Sequence, residues 1–249
     1  MKSSENAATE LLFCNFTEPS TDGYRLVSDP ERARAAVQAL IEAYNQANPR
    51  SRMQGLQLFA YMLEHLSRIS RIMLKKRGHG LLVSLGGNGR RVLTKLAAFL
   101  NDYTVYRTEF ARSFTRLEWL DEMKALFKHA GIGDEAFVVP LAVTDALGCP
   151  GAVEDVCNIL NSGEVPNLFS ADDLEEIRAE VARLARPAPG VDSLSLFKKR
   201  CHANVCVLLS VSPAGESLRE VLRRYPALGH CTTIDWFLPW PREALHAVA

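Results

Sequence analysis

Three glycines within four residues, Gly86-Gly87-Asn88-Gly89, separate the apolar run Leu81–Val83 from a stripe made by Leu93, Leu96, Ala97 and Leu100. A short apolar run of this kind reads as a buried strand, and the stripe has the spacing of one helix face. A strand that turns through bare backbone into a helix aims several N–H groups at one point. The helix dipole favours negative charge at that same point. The stretch predicts either a phosphate cradle or a glycine-rich corner that binds nothing.

Set against the P-loop pattern G-x-x-x-x-G-K-[ST], the chain has Ser84 for the first glycine, Arg90 for the lysine and Arg91 for the hydroxyl that would touch Mg²⁺. Arg90 keeps a positive charge without the compact ammonium. Arg91 cannot ligate a cation.

Composition narrows the function classes. The 249 residues are 47% hydrophobic and 23% charged, as expected of a globular chain. Twenty-nine basic and twenty-nine acidic residues cancel, which gives no electrostatic case for nucleic acid or an anionic membrane. No apolar run approaches the roughly 18 to 20 residues that span a bilayer. Met1-Lys-Ser-Ser-Glu-Asn6 lacks an apolar signal core, so the expectation is an intracellular chain. The six cysteines include no C-x-x-C pair and fit reduced thiols. Cys201-His202 resembles a dyad, but neighbours on a strand point to opposite faces.

Read in order, residues 1–28 show no clean period and predict an extended lead-in packed on a main body of residues 29–249. Asp29-Pro30 starts a helix with an N-cap carboxylate and a proline at its first position. Further helices are expected at about 54–74, from Arg90, and at 117–130, 151–160, 170–184 and 218–224. Arg68, Arg71, Lys75, Lys76 and Arg77 read as a solvated face. Residues 186–190 read as a surface loop. Strands are expected at Leu81–Leu85, Tyr103–Arg107, Phe137–Thr144, Ala203–Ser210 and Cys231–Ile234. Short apolar runs separated by helices favour parallel crossovers, and hence an α/β fold with a five-stranded parallel sheet. Asp145 closes the third run, where a functional acid would sit at the carboxyl edge of the sheet. A glutamate next to it would orient attacking water. The chain has Ala146 there.

With these segments in hand, the chain resembles the fourth AAA+ module of axonemal-type dynein heavy chains. The most specific stretches are Asn158–Phe169 (NILNSGEVPNLF) and Cys231–Trp240 (CTTIDWFLPW). Support comes from Tyr44-Asn45, RISRIM at Arg68–Met73, GGNGR at Gly86–Arg90 and SPAG at Ser212–Gly215. The resemblance runs from about Leu12 to Ala249. It implies a P-loop AAA+ three-layer sandwich: the large α/β subdomain, with lid and stalk absent. It further implies part of a motor that works on microtubules in cilia and flagella.

Carried over residue by residue, the resemblance assigns nucleotide contacts to Leu85, Gly86, Gly87, Asn88, Gly89, Arg90, Arg91, Val92, Asp145 and Ser212. Asp145 would also be the metal residue. Arg223 and Arg224 would face a neighbouring module, and Val221 replaces one arginine of that cluster. Arg90 is typical of the family, whereas Ser84 and Arg91 depart from it, as does Ala146-Leu147 after Thr144-Asp145. The implied ligand is ATP or ADP, with Mg²⁺ left open. Implied partners are the other AAA+ modules and, only indirectly, the microtubule. The implied setting is the cytoplasm and the ciliary or flagellar axoneme.

Loss of one preorganised catalytic group costs about 10²–10³ in rate. Two are missing here, so the leading expectation is a nucleotide-binding module that does not hydrolyse. The alternative is a nucleotide-free scaffold that keeps the fold. Trp236, Phe237, Trp240 and Asn167–Phe169 are expected to form an exposed apolar patch.

Overall fold

The computed structural model describes residues 12–17, 24–27, 29–56, 58–108, 114–185, 191–214 and 217–239. Trp240 and the loop at 186–190 lie outside the described residues. The chain opens with two short strands, β1 (Phe13–Cys14) and β2 (Arg25–Leu26), which pair antiparallel. Two helices follow, α1 (Pro30–Ala47) and α2 (Ala60–Leu74). Next come β3 (Gly80–Val83), α3 (Arg90–Leu100), β4 (Thr104–Val105) and α4 (Arg116–Ile132). The middle of the chain forms β5 (Phe137–Ala142), α5 (Val143–Gly148), α6 (Ala152–Ser162) and α7 (Ala171–Ala185). The last elements are α8 (Ser193–Asn204), β6 (Val205–Val211), α9 (Ser217–Arg224), α10 (Ala227–His230) and β7 (Thr233–Trp236).

Five of the strands form one parallel sheet in the order β4-β5-β6-β3-β7. Alternation along each strand splits the core into two layers. Leu82, Val138, Cys206 and Leu208 face α1, α2 and α3. Leu81, Val139, Val207 and Leu209 face the other way, onto α4 and α6–α8. This is the expected three-layer α/β sandwich. All five predicted strands are present, within two residues at each end.

The helix starts follow their caps. The Asp29 carboxylate accepts from Glu31 N–H at 3.0 Å ahead of α1. Thr115 and Glu118 form a reciprocal capping box ahead of α4. Residues 12–17 and 24–27 of the lead-in lie against the α1–α3 layer. Besides the strand pair, Val27 N–H bonds Leu12 C=O at 2.7 Å, and Leu12, Phe16 and Val27 pack on the α1–α3 core layer.

Four expectations are corrected. The second helix starts at Ala60 rather than near Gln54. Before it, the Asn45 side chain braces an irregular stretch by bonding Met53 C=O at 3.0 Å and Met53 N–H at 2.7 Å. The strand after Phe137 stops at Ala142, so Asp145 lies in the first turn of α5 rather than on a strand end. A helix, α8, precedes β6, and Cys201 and His202 belong to it rather than to a strand. Its cap is Asp192, whose carboxylate takes Ser195 N–H at 3.0 Å. Finally, Phe237 and Leu168 are core residues, 2% and 5% exposed, not parts of a surface patch. Phe237 stacks flat on the His65 ring with centroids 3.9 Å apart.

Candidate functional site

The turn between β3 and α3 holds Gly87 at φ +85° and Gly89 at φ +77°. Side chains rarely adopt this left-handed region, so glycine serves both positions. A Cβ at Gly86 or Gly87 would meet nothing within 4 Å, so the turn faces open space. Gly89 C=O accepts from Leu93 N–H at 2.9 Å to begin α3. Gly89 offers no side-chain cap, so the first N–H groups of this eleven-residue helix face outward. At the root of the turn Ser84 is buried. Its N–H bonds Val211 C=O at 3.0 Å, and its hydroxyl bonds Leu85 C=O at 2.8 Å. Serine is thus tolerated where the motif has glycine, because it turns inward.

Arg90 is half-buried and donates from Nη1 to Val211 C=O at 3.4 Å. Burial, and the charge of Arg91 beside it, pull its pKa below the usual guanidinium value. One helical turn on, burial and the charge of Arg107 lower the pKa of Lys95. Arg90, Arg91, Lys95, Arg107 and Asp145 line one cleft of about 520 Å³ over the carboxyl ends of β4, β5 and β6. Thr108 joins them with a buried hydroxyl oxygen that has no partner among the described residues.

The structure therefore brings together Arg90, Arg91 and Asp145. Asp145 is exposed and makes no ion pair among the described residues. Its one hydrogen bond is with the Thr144 hydroxyl, at 3.4 Å. Ala146 is 2% exposed and packs into the core away from the cleft, so no carboxylate stands beside Asp145. Leu85 is exposed and Val92 half-buried; neither lines the cleft. Ser212 is exposed outside it, its hydroxyl accepting from Ala214 N–H at 3.3 Å. Arg223 and Arg224 are exposed on α9 with no ion pair among the described residues, and the Arg224 guanidinium lies 5.3 Å from the Tyr225 ring centroid.

Lys95, Arg107 and Thr108 were missed as cleft residues. The signal for Lys95 was its place four residues after Arg91, and for Arg107 its place just beyond a strand's carboxyl end.

A polar clamp was also missed. On α2, His65 Nδ1 lies 2.8 Å from Asp235 Oδ2, and Arg68 Nη1 lies 3.2 Å from Asp235 Oδ1. Arg68 also pairs with Glu64, so it is not the solvated residue its sequence suggests. Tyr61 Oη donates to Leu238 C=O at 2.8 Å, and Asn88 of the glycine turn reaches the same carbonyl at 3.4 Å.

On the opposite face of the sheet, Phe127, Leu168, Phe169 and Phe197 line an apolar cavity of about 220 Å³. Only the Lys198–Glu164 pair puts charge at its rim. The cleft, which combines four cations with a carboxylate and adjoins the glycine turn through Arg90, is the candidate site.

Residues 55–249 match the family model described as P-loop containing dynein motor region D4. Curated relatives agree. The chain is 38% identical over 220 residues to dynein axonemal heavy chain 2 of Mus musculus, covering 87% of this chain and 5% of that one. It is 36% identical over 248 residues to dynein axonemal heavy chain 10 of Homo sapiens, covering 96% and 5%. It is 35% identical over 249 residues to dynein axonemal heavy chain 6 of Homo sapiens, covering 96% and 6%. The chain spans about one-twentieth of the length of these relatives.

Proposed function

The chain belongs to the P-loop dynein motor region D4 family, and from that premise we propose that it binds ATP or ADP without hydrolysing it, as a regulatory or structural AAA+ module of an axonemal-type dynein heavy chain. Its partners are the other AAA+ modules of such a chain, with Arg223 and Arg224 turned toward a neighbour and the microtubule engaged only through the assembly. Its place is the ciliary or flagellar axoneme, reached from the cytoplasm.

One observation carries the reading: Arg90 and Arg91, which directly follow the glycine turn, line one cationic cleft with Asp145, while the position after Asp145 is a buried alanine. The open N–H groups at the start of α3 suit a phosphate, and Arg90 and Arg91 add charge-assisted donors. Among the described residues no second carboxylate stands beside Asp145 to orient water. Asp145 is the cleft's single carboxylate among the described residues and stands in the first turn of a short helix. A nucleotide held here would stay intact and lock the glycine turn against α3.

The test is a titration of the full 249-residue chain with fluorescent ATP and ADP, followed by a phosphate-release assay. We expect saturable binding of both nucleotides and release no faster than the buffer blank. Steady phosphate release would overturn the non-hydrolysing assignment. Absence of binding at millimolar nucleotide would favour the nucleotide-free scaffold instead.

A further inference from the structure

We propose that this cleft takes its polyphosphate without a divalent metal, the ladder Arg91–Lys95–Arg107 supplying the charge that Mg²⁺ would otherwise bring. The inference rests on the nucleotide-binding reading above and asks what neutralises the phosphates.

A Mg²⁺ site needs near-octahedral oxygen ligands, commonly one or two carboxylates with waters and phosphate. Among the described residues no cluster of three or more acids, histidines or cysteines could hold a metal. Among the described residues Asp145 is the only carboxylate lining the cleft, and a guanidinium stands where the hydroxyl ligand should be. Four cations and one carboxylate leave the described lining residues with a formal charge of +3. A divalent ion entering that field is repelled. The residues do not fit the metal.

They do fit an anion longer than one phosphate. Arg91 and Lys95 are four residues apart on α3, so their side chains share a face about 5–6 Å apart. Arg107 comes from beyond β4 and lies near enough to depress the proton affinity of Lys95. Neither Arg91 nor Arg107 makes an ion pair among the described residues, and Lys95 bonds only the Ser51 hydroxyl, at 3.3 Å. The buried Thr108 oxygen is a further group without a partner among those residues. Mutually repelling cations gathered along one cleft become favourable once a polyanion bridges them. The ladder leads away from the glycine turn by one helical turn, so it can meet a second or third phosphate when the first sits on the turn. Guanidinium forks match phosphate oxygens in two-point contacts.

The experiment measures Kd for fluorescent ADP and ATP on the full chain, in EDTA and again in millimolar Mg²⁺, with inorganic tripolyphosphate as competitor. The expected result is affinity in EDTA at least equal to that in Mg²⁺, with tripolyphosphate displacing the nucleotide. Lys95→Gln with Arg107→Gln should weaken the EDTA affinity about tenfold or more. Arg107→Lys should keep most of it. Near-ultraviolet circular dichroism shows whether each variant is folded. If a variant is not folded, the comparison of EDTA with Mg²⁺ on the unmodified chain still decides. Binding at least tenfold tighter in Mg²⁺ would overturn this inference and leave nucleotide binding standing. Binding in neither buffer would overturn both. Binding that tripolyphosphate cannot displace would show that the base, not the polyphosphate, is recognised, and would also overturn the inference.

Discussion

His79 is a buried base held in its neutral form. Its Nδ1 accepts from Val207 N–H at 3.1 Å, joining the approach to β3 with β6. Burial, with the nearby His202 adding to it, pushes its pKa down from 6.5 to about 4. The folded chain therefore binds fewer protons here than the unfolded chain between those two values. Stability should fall as pH drops through 6.5, with the loss complete below about 4. The shift corresponds to roughly 3 kcal/mol at its limit. His79→Asn keeps an acceptor but cannot titrate, so urea denaturation from pH 7 to pH 4.5 should show a shallower decline for the variant. At this scale identity was legible and orientation was not. That Ala146 is no glutamate is plain from the chain, whereas its burial becomes visible only once α5 turns it into the core. Arg91 and Lys95 were in view as separate residues, but their convergence with Arg107 needs the sheet.

Elements are joined here by polar side chains as well as by apolar burial. Tyr61, His65 and Arg68 lie on one face of α2 and grip Asp235 and the backbone beyond β7. Asp235 is 2% exposed, and removing its carboxylate leaves the buried His65 without its partner, while Arg68 keeps Glu64. Asp235→Ala is expected to destabilise the chain by about 3–5 kcal/mol, with Asp235→Asn less damaging, both read by urea denaturation. The strands were readable because β3, β5 and β6 are apolar on both faces. The helix α8 was not, since Ser193–Asn204 buries only Ser193, Phe197 and Cys201 and its stripe is thin. Its cap, Asp192 three residues before Ser195, was the available signal. The short α5 was invisible because Val143 and Ala146 continue the apolar run of the strand before it.

At the scale of the molecule, the sheet order and both core layers agree with what the alternating segments dictate. Tertiary context decides which large apolar groups stay outside. Ile234, Trp236 and Leu238 are 50%, 48% and 60% exposed and form a stripe along the edge strand. Such a stripe favours self-association. Trp236→Gln with Leu238→Gln should leave stability within about 0.5 kcal/mol and shift sedimentation velocity profiles toward monomer.

The carbonyl of Leu238 has a mechanical meaning. It is held at once by Tyr61 of α2 and by Asn88 of the glycine turn, and the chain continues directly from it. The neighbouring Phe237 N–H bonds Val83 C=O at 2.8 Å, so the segment after β7 is tied to β3 as well as to α2 and the turn. Leu238 C=O is thus a joint shared by α2, the glycine turn and the segment after β7.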